Sequence, residues 1–136
     1  MIEPQRALAH IRMSVQSELT DFLLQQTQYL GEIGSELTPV AEAMNEYLLD
    51  SGKRLRPLFA YAGYLGAGGS EDSAVIKAVA SLELLQACAL IHDDLMDGSD
   101  TRRGKPAMHR RFESIHEQEE LSGSASAYGA LPREPL

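Results

Sequence analysis

The stretch Leu90-Ile91-His92-Asp93-Asp94-Leu95-Met96-Asp97 ends a long apolar segment with three carboxylates. Asp93 and Asp97 are four residues apart, so a helix places them on one face, one turn apart, with Asp94 beside them. Stacked like charges repel each other, and the negative end of the helix dipole increases the repulsion. Carboxylate oxygens suit a hard divalent cation whose shell phosphate and water can complete. The stretch therefore predicts a Mg²⁺ site with Asp93 and Asp97 as ligands; the alternative is a solvated acidic helix end.

Two basic clusters flank this acidic stretch. Downstream, Thr101-Arg102-Arg103-Gly104 offers planar, bidentate donors that can bind a diphosphate. Upstream, Gly52-Lys53-Arg54-Leu55-Arg56-Pro57 precedes a helix that Pro57 can open, and the N-terminal end of a helix favours anions. The alternative for both clusters is an exposed, solvated loop. The net charge is −8, which excludes general nucleic-acid binding, so focused positive charge indicates a small anionic ligand.

Composition indicates a folded chain that stays in a reducing compartment. Hydrophobic residues make up 43% and charged residues 24% of the chain, which is ordinary for a globular domain or part of one. Cys88 is the single cysteine, so no internal disulfide can form. No uninterrupted apolar run approaches the length of a membrane span, and the N-terminus lacks the apolar core of a signal peptide. We therefore expect a cytoplasmic protein without an integral membrane segment.

Apolar residues at helical spacing predict an all-α chain of four to five helices. The first spans 5–31, with a stripe of Ile11, Val15, Leu19, Phe22 and Leu23. The second begins with Thr38 as N-cap and Pro39 at the first helical position, and it stops at Gly52 in a left-handed cap. A third helix follows Pro57, a fourth runs from Ser73 to Asp97, and a short fifth lies within 107–121. The fourth is apolar nearly all round, which predicts a central, buried helix.

Four ordered motifs resemble those of the trans-isoprenyl diphosphate synthases, also called polyprenyl synthetases. They are Gly52-Lys53-Arg54-Leu55-Arg56-Pro57, Leu82-Glu83-Leu84-Leu85, the segment from His92 to Asp97, and Arg102-Arg103-Gly104-Lys105-Pro106. The resemblance runs from about Thr38 to about Gly123 and covers roughly the first third to half of the family's usual length. It implies the N-terminal part of an isoprenoid-synthase-type helical bundle. It also implies Mg²⁺-dependent condensation of isopentenyl diphosphate with an allylic diphosphate.

The resemblance assigns roles to the acidic stretch and to the downstream arginines. Asp93, Asp94 and Asp97 would be catalytic, and Asp93 and Asp97 would bind Mg²⁺. Arg102 would contact the allylic diphosphate, and Arg103 would contact isopentenyl diphosphate. The apolar helix that ends in these aspartates suits a substrate with a charged head and an apolar tail.

The resemblance also assigns roles further upstream. Lys53 and Arg56 would hold the diphosphate of isopentenyl diphosphate. Gln86 stands where many family members have a His that contacts the same substrate; the alternative is a buried, hydrogen-bonded amide. Cys88 and Ala89 occupy positions where bulky residues stop chain growth in the family. Because both are small, the sequence favours longer products.

The end of the chain departs from the family pattern. Residues 122–129 resemble a loop of the family, but Ala130-Leu131-Pro132-Arg133-Glu134-Pro135-Leu136 cannot continue the long helix that follows there, since it contains two prolines. The second aspartate-rich motif of the family is missing. We expect a helical domain over 1–121, a flexible Ser/Gly/Ala/Pro-rich tail over 122–136, and a truncated chain that is inactive or weakly active alone.

Other metal-dependent functions remain as alternatives. His92-Asp93 could be the dyad of an HD-type phosphohydrolase, but only His10 is available upstream as a further His ligand. Glu113 and His116 match half of a di-iron bundle motif. Cys88 and His92 are also four residues apart, but two ligands do not make a zinc site.

The stronger alternative is a non-catalytic role. In the resembling family an N-terminal helix packs at a subunit interface, so the first helix here could do the same or could pack on its own core. We therefore expect either a homodimer or association with another synthase chain. A subunit or regulator that binds a full-length synthase is the rival to an enzyme.

Overall fold

The computed structural model describes residues 4–50 and 52–119, and these form an α-helical chain with one short hairpin. The helices are α1 (Pro4–Ile33), α2 (Thr38–Leu49), α3 (Leu55–Gly66), α4 (Ser73–Asp97) and α5 (Met108–Gln118). A 3₁₀ turn at Ser35–Leu37 precedes α2, and strands β1 (Thr101–Arg102) and β2 (Lys105–Pro106) pair between α4 and α5. The all-α prediction is confirmed, with a hairpin in place of the expected loop. The predicted tail, 122–136, lies outside the described residues.

The chain divides into two compact units whose boundary falls inside α4. The N-terminal unit comprises residues 1–87 and the C-terminal unit comprises residues 88–136. The N-terminal unit contains α1, α2, α3 and most of α4, whereas the C-terminal unit contains the end of α4, the hairpin and α5. The predicted catalytic aspartates and the upstream basic motif therefore belong to different units.

The predicted stripe of α1 forms the core of the N-terminal unit. Ile11, Val15, Leu19 and Leu23 are buried, because their spacing of four residues keeps them on one face. The first three pack in a cluster with side chains from α3 and α4, namely Leu58, Tyr61, Ile76, Val79 and Ala80. Phe22 was expected in the stripe but is exposed, since its position in the helical turn points away from that face.

The start of α2 differs from the prediction by one residue. Leu37 is the N-cap, and Thr38 is the first helical residue without a side-chain cap hydrogen bond. The reason is the preceding 3₁₀ turn, which ends at Leu37. The N–H of Leu37 already donates a hydrogen bond to the carbonyl of Gly34, and Leu37 has helical backbone angles. The chain therefore enters α2 already coiled. Pro39 lies in the first turn, where its missing N–H costs nothing.

The connection between α2 and α3 contains a left-handed residue, but it is not the predicted glycine. Arg54 has φ 50° and ψ 39° and forms the N-cap of α3, whereas Gly52 is absent from the residues with positive φ. A left-handed backbone costs a non-glycine residue roughly 1–2 kcal/mol. The contacts of the Arg54 side chain, described below, must offset that cost. The expectation of a left-handed cap at Gly52 was therefore wrong.

The bounds predicted for α4 are confirmed, and its end is a glycine cap. Gly98 has a left-handed backbone, with φ 65°. The N–H of Gly98 donates to the carbonyl of Leu95 at 3.3 Å, and the N–H of Ser99 donates to the carbonyl of Asp94 at 2.9 Å. This is the Schellman pattern, in which a left-handed residue satisfies the last carbonyls of a helix. The cap fixes where the three aspartates stand relative to the helix end.

The expectation that α4 is buried all round is not met in the described residues. Leu85 is 67% exposed and Met96 is 82% exposed, while Ile76, Val79, Ala80 and Ala87 are buried. By length and composition α4 could cross a membrane, with a hydropathy of 1.8 over its most apolar window. Core helices of water-soluble bundles pass the same test. Glu83, which is ion-paired with Arg54 in the middle of α4, favours the bundle reading.

Candidate functional site

The three aspartates at the end of α4 are not equivalent. Asp94 is buried, and its carboxylate receives two hydrogen bonds of 2.6 Å from Nε and Nη2 of Arg102. This fork-to-fork pair is the strongest geometry available to an ion pair in proteins. Asp93 and Asp97 are exposed, and neither has a hydrogen-bond or ion-pair partner among the described residues. One carboxylate is thus used inside the protein and two face solvent.

The hairpin after α4 is fixed at its base and carries the next basic residues. The N–H of Ala107 donates to the carbonyl of Asp100 at 2.9 Å, and Nε of Arg110 donates to the Asp100 carboxylate at 2.8 Å. Hydrogen bonds with Glu113 and then with Asp100 raise the pKa of Arg110 above its usual value. Asp100 therefore links the start of the hairpin to the start of α5.

The turn of this hairpin holds Arg103 in a left-handed conformation. Arg103 has φ 53° and Gly104 has φ 77°, and Thr101 and Arg102 pair with Pro106 and Lys105. Two consecutive positive φ values are the pattern of a type I′ hairpin turn, where Asn-Gly is the usual pair. Arg at the first position is strained. Strained residues concentrate at functional sites, which is consistent with the predicted role of Arg103.

The exposed histidine beside the aspartates has a local partner. Nδ1 of His92 lies 2.7 Å from the carbonyl oxygen of Cys88 and 3.7 Å from its Sγ. A protonated Nδ1 would donate to that carbonyl, which leaves Nε2 as the acceptor of the ring. Cys88 and Ala89 are both exposed on α4. Their predicted role in chain length remains a prediction.

The alternative metal sites find no support in the described residues. Glu113 receives a hydrogen bond from Arg110 instead of joining His116 in a ligand pair. In residues 4–50 and 52–119, no three His, Cys, Asp or Glu side chains converge as they would around a metal ion. The assignment of Asp93 and Asp97 as Mg²⁺ ligands remains a prediction.

In the N-terminal unit, the upstream basic motif divides into exposed and buried charges. Lys53 and Arg56 are exposed, as a role in anion binding requires. Arg54 is 5% exposed and forms an ion pair with Glu83, with 2.7 Å between Nη1 and Oε2. Gln86, in the same unit, is half-buried and makes no hydrogen bond to another described residue. The proposed roles of Lys53, Arg56 and Gln86 remain predictions.

Sequence reasoning missed two pairings, Arg54 with Glu83 and Asp94 with Arg102. One signal was present for the first: Glu83 is a single charged residue in the middle of an apolar helix, and buried charges are normally paired. For the second, the pattern located both residues but gave them separate roles. The structure joins Asp94 and Arg102 directly, so the hairpin and the acidic stretch form one local arrangement.

Comparison with known proteins identifies relatives of this arrangement. The family model described as polyprenyl synthetase matches residues 38–117. Farnesyl diphosphate synthase of Haemophilus influenzae is 41% identical over 102 residues, which are 73% of this chain and 33% of that protein. Geranylgeranyl pyrophosphate synthase 11, chloroplastic, of Arabidopsis thaliana is 44% identical over 75 residues, which are 54% of this chain and 21% of that protein.

A solved structure gives the same answer. It is the crystal structure of geranylgeranyl pyrophosphate synthase from Corynebacterium glutamicum, complexed with isoprenyl diphosphate and magnesium. It matches with a TM-score of 0.78 and 42% identity over 88% of this chain and 35% of that one. The chain thus spans about a fifth to a third of the length of these relatives. Since the family model covers more than half of its residues, the chain belongs to the polyprenyl synthetase family.

Proposed function

We propose that this chain supplies the diphosphate-binding and Mg²⁺-binding part of a prenyltransferase that joins isopentenyl diphosphate to an allylic diphosphate. The main observation behind the proposal is that the three aspartates at the end of α4 have different environments. Arg102 engages Asp94, while Asp93 and Asp97 remain exposed one helical turn apart. The Corynebacterium glutamicum structure, described as holding isoprenyl diphosphate and magnesium, supports the same ligands here.

The residues present fit Mg²⁺. Asp93 and Asp97 are exposed and are the ligands we assign to it. Mg²⁺ is commonly held by one or two carboxylates together with substrate phosphate and water, so these two carboxylates suffice on the protein side. When bound, Mg²⁺ would supply Lewis-acid stabilisation of the charge that develops on a departing diphosphate. Asp94 is not assigned as a metal ligand, because its oxygens are occupied by Arg102.

Prenyl transfer would use the basic side chains to stabilise negative charge. The allylic carbon–oxygen bond breaks to give an allylic carbocation and free diphosphate, the double bond of isopentenyl diphosphate attacks the cation, and a proton is then lost from the isopentenyl unit. Arg102 would hold the departing diphosphate, whereas Lys53, Arg56 and Arg103 would hold that of isopentenyl diphosphate and Gln86 would donate a hydrogen bond to it. Apolar side chains around the cation exclude water that would otherwise capture it.

Small residues above the aspartates favour longer products. Cys88 and Ala89 are exposed on α4, five and four residues before Asp93. We expect Ala89→Phe to shorten the longest product of the active enzyme, because a ring there would block the growing chain. The lipid products of the wild type and of Ala89→Phe can be compared by chromatography. An unchanged product length would remove Ala89 from the list of chain-length residues.

The activity itself is tested by a prenyl-transfer assay. The purified chain would be incubated with Mg²⁺, isopentenyl diphosphate and geranyl or farnesyl diphosphate. The lipid products would then be extracted and examined for elongated chains. We expect no elongated product from the chain alone, because about two thirds of the length of these relatives has no counterpart in it. Replacing the matching third of the Corynebacterium glutamicum synthase with this chain should give an active chimera that Asp93→Ala inactivates. A folded chimera without activity would contradict the proposal.

A second candidate is a non-catalytic subunit of a larger synthase. Heterodimeric geranylgeranyl pyrophosphate synthase large subunit 1, chloroplastic, of Arabidopsis thaliana is 44% identical over 75 residues. Phe59 and Leu85 of the N-terminal unit are 74% and 67% exposed, and apolar surface of this kind favours association. Sedimentation of the chain alone and mixed with a full-length synthase would distinguish self-association from binding to a partner. A cytoplasmic location remains a prediction.

A further inference from the structure

Arg54 is a buried arginine in the middle of an exposed basic motif. Nε and Nη2 of Arg54 donate to Oε1 of Gln16 at 3.2 and 2.9 Å. Nη1 donates to Oε2 of Glu83 at 2.7 Å, and Nη2 also donates to the carbonyl of Leu48 at 2.5 Å. One guanidinium therefore joins α1, α2 and α4 inside the N-terminal unit.

This arrangement removes Arg54 from contact with ligands. The residue is 5% exposed, and the Glu83 side chain that neutralises it is 12% exposed. Burying a charge is unfavourable unless a partner and hydrogen bonds compensate it, and Arg54 has both. A motif that needed only positive charge would leave this arginine in solvent, as it leaves Lys53 and Arg56. The buried Arg54 thus acts on the protein and not on a substrate.

The contacts of Arg54 determine the backbone that carries its neighbours. Arg54 is left-handed and caps α3, and its carbonyl accepts the hydrogen bond from the N–H of Leu58. Nε of Arg12 donates to the carbonyl of Lys53 at 3.2 Å, which holds the preceding peptide as well. The turn at Arg54 separates Lys53, before α3, from Arg56, in its first turn. The directions of both exposed side chains therefore depend on the conformation of Arg54.

Gly52 belongs to the same arrangement. A Cβ atom added at Gly52 would lie 3.0 Å from Nη1 and 3.3 Å from Cζ of Arg54. Because these distances are shorter than ordinary van der Waals contacts, a side chain at position 52 would require the guanidinium to shift by a few tenths of an ångström. The glycine is explained by the close approach of Arg54, since its own backbone does not need a positive φ.

We propose that Arg54, held by Glu83, Gln16 and the carbonyl of Leu48, is a positioning residue that aims Lys53 and Arg56 at the diphosphate of isopentenyl diphosphate. The proposal rests on the function proposed above, in which Lys53 and Arg56 hold that diphosphate. It adds Arg54 and Glu83 as residues that the reaction requires although neither touches the substrate.

The test measures the affinity of the purified chain for isopentenyl diphosphate by calorimetry, at a temperature where circular dichroism shows each variant to be folded. The key variant is Arg54→Met with Glu83→Leu, because replacing a buried ion pair by apolar side chains of similar size often preserves stability. We expect this double variant to remain folded at the temperature of the measurement but to bind about tenfold more weakly or worse, since misplaced binding groups lose affinity. Gly52→Ala should weaken binding in the same direction. Lys77→Met removes an exposed positive charge from the same unit and should change nothing.

Each outcome supports or overturns the proposal. Loss of binding in a double variant that is folded at the temperature of the measurement supports positioning, because a merely structural role predicts that a folded variant binds as tightly as the wild type. Wild-type affinity in the double variant overturns the role of Arg54, while Lys53→Gln and Arg56→Gln still test the site itself. If those two variants bind as tightly as the wild type, the proposed diphosphate site is wrong and the role of Arg54 falls with it.

Discussion

At the scale of single residues, the two basic motifs share two features, an arginine paired with a carboxylate of α4 and an arginine with a positive φ. Arg54 and Arg102 are each bound to a carboxylate of α4, Glu83 in one case and Asp94 in the other. Arg103, like Arg54, has a positive φ, and these two are the non-glycine residues with that property in residues 4–50 and 52–119. Strain and burial of charge are both costly, so their presence in both motifs indicates that side-chain position matters there.

The aspartates allow a direct test at this scale. Asp94→Asn should destabilise the folded chain by about 2–3 kcal/mol, because it removes the charge from a buried carboxylate that accepts hydrogen bonds from both Nε and Nη2 of Arg102. Asp93→Asn should change stability by no more than about 0.5 kcal/mol, since Asp93 is exposed and without a partner among the described residues. Denaturation followed by circular dichroism gives both values. Equal destabilisation by the two substitutions would contradict the conclusion that Asp94 is buried and ion-paired whereas Asp93 is exposed.

At the scale of elements, α1 is long but buries a narrow stripe. Val15 and Leu19 are almost completely buried, whereas Leu24 is 58% exposed and Ile33 is 60% exposed. The exposed apolar residues lie off the face that packs in the core. The buried stripe supports the alternative that α1 packs on its own core. Its predicted use as a subunit interface stays a prediction.

Substitutions on the buried face and on the exposed face of α1 should differ in their effect on the free energy of unfolding. Leu19→Ala should cost about 2–5 kcal/mol of stability, because it leaves a cavity at a fully buried site. Leu24→Ala, on the same helix and with the same chemical change, should cost about 0.5 kcal/mol or less. Thermal or denaturant unfolding measures the difference. A large loss for Leu24→Ala would mean that a further surface covers this face in solution.

The elements that sequence reasoning located correctly are those defined by local patterns. The bounds of α4 follow from apolar spacing and from Gly98, both of which lie in one short stretch. The role of Arg54 could not be predicted, because its partners are 6, 29 and 38 residues away. The hairpin was also missed, since Arg103 is an unfavourable residue for its turn. Long-range contacts and strained turns override the local signals on which such predictions depend.

At the scale of the whole molecule, the chain matches the polyprenyl synthetase family over residues 38–117, within a fraction of the relatives' length. It matches 35% of the Corynebacterium glutamicum synthase and 33% of the Haemophilus influenzae synthase. The acidic stretch and the downstream arginines lie in one compact unit, and the upstream motif lies in the other. We therefore expect the chain itself to bind the ligands, and we assign prenyl transfer to a full-length synthase.

The most direct test of the account is the coupling between Mg²⁺ and geranyl diphosphate. Their binding to the chain would be measured by calorimetry at several Mg²⁺ concentrations, with a titration without protein to correct for the complex that they form in solution. We expect Mg²⁺ to raise the affinity for geranyl diphosphate about tenfold or more, within the usual range of coupling between two ligands. The double variant Asp93→Asn with Asp97→Asn should lose this coupling, whereas Glu117→Gln, an exposed acid on α5, should retain it. Coupling that survives in the double variant, or is absent from the wild type, would contradict the assignment of Asp93 and Asp97 as the Mg²⁺ ligands.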